Sequence, residues 1–107
     1  MTRDRIAALR KTLDETNVVR CRLGTGVIRE EVWQNAEGEV VRYNLAFINH
    51  SLFSNDNGRV LGYDNQHGHH HRHYTGGREQ FAFVSYARVL ARFLKEVRHL
   101  RETREPL

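Results

Sequence analysis

The sequence predicts an α+β domain over residues 1–107. The expected architecture is an antiparallel β-meander of about five strands, a short N-terminal helix, and a long amphipathic C-terminal helix packed on one face. Three observations lead there. Apolar residues alternate at a period of two through much of the stretch from Val18 to Tyr74. Clusters of Gly, Asn and Asp interrupt that stretch at short intervals. From Tyr86 to Leu100 the apolar period lengthens to that of a helix.

In chain order, Thr2 can cap a helix carrying Ile6, Leu9 and Leu13 on one side, with Arg3, Arg5, Arg10 and Lys11 on the others. So short a helix persists only if it docks on something. Val19, Cys21 and Leu23 alternate with Arg20 and Arg22 as a first strand, and Gly24-Thr25-Gly26 turns it into a second, Val27 to Trp33. After the Asn35–Gly38 turn, Val41, Tyr43, Leu45 and Phe47 share one face of a third strand. Ala46 and Ile48 make its other face apolar too, which suggests a central place in the sheet. Ser54 to Gly58 is a strong turn signal. Arg59 to Tyr63 is a fourth strand, Asn65 to Gly68 turns the chain, and His69 to Tyr74 returns as a fifth, followed by a short extended piece with Phe81 and Phe83. Ser85 caps the last helix, whose stripe is Tyr86, Val89, Leu90, Phe93, Val97 and Leu100.

Composition narrows the function classes. An apolar fraction of 39% and a charged fraction of 28% imply one small core under a large polar surface. Cys21 is the only cysteine, which excludes an internal disulfide and a cysteine-based zinc site, and it reads as a small buried hydrophobe. The N-terminus is too charged for a secretory signal and no segment is apolar enough to span a bilayer, so a soluble cytoplasmic protein is expected. The formal charge of +4, carried almost wholly by arginine with Lys11 and Lys95 the only lysines, favours phosphate-bearing partners.

One stretch stands apart. Five of the seven histidines fall between His67 and His73, with Arg72 among them and Tyr63, Asp64 and Asn65 just upstream. Alternation on a strand places His69, His71 and His73 on one side and His70, Arg72 and Tyr74 on the other. Three readings compete. In the first, His70 and either His73 or His71 act as base and acid on an RNA backbone, Arg72 clamps the phosphate, Tyr63 or Tyr74 donates a proton or stacks a base, and Asp64 orients an imidazole. In the second, the His-x-His spacing begins a metal site that His67 or Asp64 completes. In the third, the histidines are exposed strand residues that fix the turn. A basic stripe of Arg88, Arg92 and Lys95 on the last helix reads first as a solvated face and second as a nucleic-acid contact. His50 and His99 read as structural, and Trp33 and Tyr43 as core.

Glu30-Glu31-Val32-Trp33, the strand Tyr43 to Ile48, and above all Tyr63-Asp64-Asn65, His67-Gly68 and His70-His71-Arg72-His73-Tyr74 resemble the TumE family of small bacterial toxins. The resemblance runs from about Val27 to the final helix. His69 falls at an unspecified position of the motif and ranks below its neighbours. The resemblance implies a growth-inhibiting toxin whose partner is an antitoxin, typically a helix-turn-helix DNA-binding protein; a homodimer is also compatible. It leaves the chemistry to the residues. The resulting expectation is a metal-independent endoribonuclease without a cofactor, with catalytic residues drawn from Tyr63, Asp64, His67, His70, His71, Arg72, His73 and Tyr74. The alternatives are a metal-binding histidine-cluster hydrolase and a non-catalytic toxin that binds nucleic acid through Arg88, Arg92 and Lys95.

Overall fold

The computed structural model describes residues 9–107. Six strands form one antiparallel meander in sequence order: β1 (Arg10–Arg20), β2 (Thr25–Gln34), β3 (Val40–Ile48), β4 (Arg59–Asp64), β5 (His71–Tyr74) and β6 (Gly77–Gln80). One long helix, α1 (Tyr86–Glu102), follows.

The α+β class and the meander are as expected, with six strands in place of about five. Most of the expected N-terminal helix lies outside the described residues. Its last turn does not exist, because Leu13 belongs to β1, opposite Val32. Ten residues of β2 offer a template along the whole of Arg10–Arg20, and that pairing overrides the weak helical spacing of a polar segment. The sixth strand arises at Thr75-Gly76, where both residues have positive φ (45° and 85°) and Tyr74 pairs with Gly77. That is a two-residue hairpin loop with both central residues left-handed, a twist that matches the strands it joins.

The helix covers one face of the sheet. Val89, Phe93, Val97 and Leu100 pack on Tyr43, Leu45, Phe47, Val60, Leu61 and Tyr63, and Phe93, Leu45, Phe47, Leu61 and Tyr63 are fully buried. Ser85 caps the helix by accepting a hydrogen bond from the Arg88 amide at 3.2 Å. Among the described residues no element packs on the opposite face. Tyr43 is core, as expected. Trp33 is not: it is half-buried and pairs with Arg42 on the uncovered face, with the Arg42 and Lys11 cations 4.6 and 5.1 Å from its ring. His50 lies against Gly58, and a Cβ at that glycine (φ +79°) would come within 2.7 Å of the imidazole. His99 bonds the Glu105 carbonyl beyond the helix end.

The register sets two rows of side chains on the uncovered face, since directly opposed residues share a face. Asp14, Glu31, Asn44, Asp64, His71 and Gln80 form one row across all six strands. Thr16, Arg29, Ala46, Gly62, His73 and Arg78 form the next.

Because Phe93 is fully buried between helix and sheet, Phe93→Ala is expected to lower folding stability by about 3–5 kcal/mol, measured by denaturant unfolding.

Candidate active site

Strand β5 divides the histidine-rich stretch between the two faces. On the helix side, Arg72 is bound from three directions. Its Nη2 lies 2.6 Å from Glu96 Oε2, its Nε donates to the Tyr63 hydroxyl at 3.0 Å, and its Nη1 reaches Glu79 Oε1 at 3.2 Å. The Tyr63 hydroxyl in turn donates to Glu96. Burial works against the guanidinium charge, but the Glu96 carboxylate outweighs it and raises the Arg72 pKa. Burial first, and then Glu96, raise that of Tyr63. Arg72 also lies over the Tyr74 ring at 5.4 Å, and the Tyr74 hydroxyl accepts from the Leu107 amide.

Two residues given roles from the sequence have internal partners here. Arg72 is committed to internal carboxylates, not held open for a phosphate. Tyr63, with 0% exposure, has no face left on which a base could stack. Both instead fasten β4 and β5 to the helix.

His70 also lies on the helix side. Its Nδ1 is 2.8 Å from the Tyr43 hydroxyl and its ring stacks on Phe83 at 4.1 Å. Burial, with a smaller contribution from His71, lowers its pKa. His67 is exposed in the turn after β4.

The uncovered face gathers the other members. His69, although outside the strand proper, is extended (φ −124°, ψ 141°), so His69, His71 and His73 form a ladder with ring centroids 6.1 and 6.3 Å apart. His73 Nε2 lies 2.8 Å from Asp64 Oδ2, and both side chains are largely buried. The Asp64 Oδ1 accepts from the Gln66 amide at 3.1 Å, which holds the carboxylate in place. Burial and then Arg59 lower the His73 pKa, and the attraction of Asp64 only partly offsets them. His73 is therefore a neutral imidazole at neutral pH, with its Nε2 proton donated to Asp64. Its Nδ1 has no protein partner among the described residues. An imidazole so held can accept a proton at Nδ1.

The floor beside this pair is low. Gly62 lies directly opposite His73 and Ala46 opposite Gly62. A Cβ at Gly62 would come within 3.0 Å of Arg59 Cδ, so the glycine lets the Arg59 side chain lie flat. Further along, Glu31 is held by Lys11 at 2.7 Å, by Arg29 at 3.3 Å and by the Asn44 amide at 3.0 Å. Burial opposes its charge, but these donors outweigh it and keep its pKa below the usual carboxylate range.

A family model described as Toxin TumE matches residues 2–101. The chain belongs to that toxin family. No curated protein and no solved structure matches it. Membership of a TumE toxin family suggests a cognate antitoxin, and among the described residues no helix is long and apolar enough to cross a membrane.

In this TumE-family chain, no three His, Cys, Asp or Glu side chains among the described residues converge as a metal-binding group. Arg88, Arg92 and Lys95 are exposed on one side of α1, away from the histidine ladder. Arg92 leans over the Tyr63 ring at 5.6 Å and lies 4.0 Å from Glu96. Sequence reasoning missed Glu96, Arg59 and Arg78. Only Glu96 had a local signal: it is the one acidic residue on a helix flank otherwise lined by Arg and Lys.

Two outcomes follow. Removing one partner of the Arg72–Glu96 pair strands a largely buried charge, so Glu96→Ala is expected to lower stability by about 2–3 kcal/mol in denaturant unfolding. His70 and His73 are both depressed from 6.5 in the folded state, so the unfolded chain binds more protons as pH falls below that value. Their contribution to stability is whole above about pH 6.5 and is lost as pH falls through the folded values. A stability–pH series should show this decline, and the double variant His70→Gln/His73→Gln should flatten it.

Proposed function

We propose that this toxin is a metal-independent endoribonuclease whose reaction centre is the uncovered face of the sheet at His73. The observation that carries the reading is the Asp64–His73 pair at 2.8 Å, beside a low floor and with the second nitrogen of the imidazole unpartnered. His73 Nδ1 takes the proton of a ribose 2′-hydroxyl. The 2′-oxygen attacks the adjacent phosphorus, and the 5′-oxygen leaves with a proton supplied by His71, the next ring of the ladder. The products are a 2′,3′-cyclic phosphate and a 5′-hydroxyl.

The cation in this reading is not Arg72. Arg78 lies directly opposite His73 on β6 and has no carboxylate within salt-bridge distance among the described residues. Arg59 is close enough to His73 to lower its pKa. Both would oppose the charge that builds on the phosphate. Arg72, Tyr63, Tyr74 and His70 then act by holding β5 in place, and His67 lies at the edge of the site. The toxin is read as acting in the cytoplasm under the control of a helix-turn-helix antitoxin, as the family resemblance suggested.

Cleavage of purified RNA tests the reading. Relative to wild type, His73→Gln is expected to slow cleavage by about 10²–10⁴-fold, and Asp64→Asn to slow it less while shifting its pH profile. Chelation should leave the rate unchanged. Intact RNA from wild-type protein that still arrests growth would sink the proposal. Arrest that survives His73→Gln but not the combined loss of Arg88, Arg92 and Lys95 would favour a non-catalytic nucleic-acid-binding toxin, and loss of activity on chelation a metal-dependent hydrolase.

A further inference from the structure

At the end of the sheet nearest the β4–β5 turn lies a cleft of about 570 Å³, lined among others by Val41, Arg42, Gln66, His67 and His70. Its volume is in the range of small-ligand pockets. Three features of its lining bear on what it could hold.

The first is Arg42. On the same face, Lys11, Arg29 and Arg59 each have a carboxylate partner, whereas Arg42 has none within salt-bridge distance among the described residues. Its guanidinium lies 4.6 Å from the Trp33 ring, which orients the fork without neutralising it. The second is His67, which is exposed yet held at φ +62°, a left-handed conformation that disfavours a side chain and is followed by Gly68 at φ +78°. The third is His70. Its imidazole is fixed by Tyr43 on Nδ1 and by Phe83 on one ring face, while Nε2 has no protein partner among the described residues.

The position of the cleft matters as much as its lining. Arg42 precedes by two residues Asn44, which lies opposite Asp64. The side chains of one strand face repeat about every 6.6–6.8 Å, so the cleft adjoins the Asp64–His71 row. An extended polyanion that passes His73 and His71 reaches Arg42 next.

We infer that this cleft is a subsite for a neighbouring nucleotide of single-stranded RNA, with its phosphate on Arg42 and its base against the imidazoles of His67 and His70. The inference rests on the RNA-cleaving reading. It adds a binding element outside the reacting groups: a cation without a carboxylate partner among the described residues for phosphate, and two imidazoles, that of His70 held by Tyr43 and Phe83, for a base.

The test is binding of a fluorescently labelled 2′-O-methyl oligoribonucleotide, which lacks the 2′-hydroxyl nucleophile and so cannot be cleaved by this chemistry. Arg42→Gln and His67→Ala are expected to weaken binding about tenfold each, Arg42→Gln also reducing the salt slope by about one. Arg98→Gln, a charge-matched change at an exposed helix position, should bind like wild type. His73→Gln should bind normally and fail only in cleavage. Undiminished binding by Arg42→Gln and His67→Ala would overturn the subsite, as would absence of binding by the wild type. Binding that depends on Arg42 in a protein that cuts no RNA would leave the subsite standing and remove the reaction instead.

Discussion

The arrangement of this protein turns on the attachment of β5 to the helix through Arg72. β5 is four residues long and lies next to a short edge strand, so backbone pairing alone holds it weakly. The guanidinium supplies the rest by bridging Glu96 on the helix, the Tyr63 hydroxyl on β4 and Glu79 on β6. A buried ion pair of this kind is a poor source of net stability, since desolvation offsets much of the attraction. Its effect here is to fix which side of β5 faces inward. Once Arg72 points at the helix, the pleat allows no choice for its neighbours: His71 and His73 must face outward.

That constraint explains why the outward face, although uncovered by any described element, is not an ordinary solvated surface. Asp64 and Glu31 are both buried at 10% exposure or less, beneath side chains from the same face, and each has its charge answered, by His73 in one case and by Lys11, Arg29 and Asn44 in the other. Asn44 lies between the two, and the adjacent row has a floor of Ala46 and Gly62 where bulky residues would normally fill the face. The environment of His73 follows from this geometry. It is dry enough to resist protonation and has one nitrogen tied down and the other without a partner among the described residues. A histidine on a fully solvated strand would have neither property.

The sequence carried the sheet, the helix and the two-sidedness of the histidine stretch, because each depends on periodicity within one segment. Ladder-forming His69, His71 and His73 were legible for that reason, as was the helical stripe from Val89 to Leu100. What periodicity could not supply was partnership. Arg72 reads as a free cation until Glu96, 24 positions later, is brought against it. Arg78 carries no signal in the sequence, and only the Thr75-Gly76 hairpin sets it beside His73. The strand from Arg10 was hidden for the same reason: a polar segment with faint helical spacing becomes β only because β2 pairs with it along its length.

The same partnerships weigh the basic helix against the uncovered sheet face as the surface for the proposed contact with nucleic acid. Of the three stripe residues, Arg92 is drawn inward, its guanidinium over the Tyr63 ring and near Glu96. It belongs to the junction that holds β5. Only Arg88 and Lys95 remain of the stripe without carboxylates among the described residues, two exposed charges on the helix. On the sheet, Arg78 and Arg42 are likewise uncompensated, but they bracket oriented imidazoles, a low floor and a cleft. Charge of equal size does different work in the two places. On the helix it would attract a polyanion without positioning it, and on the sheet it lies, in the proposed reading, where a phosphate would be placed against a base.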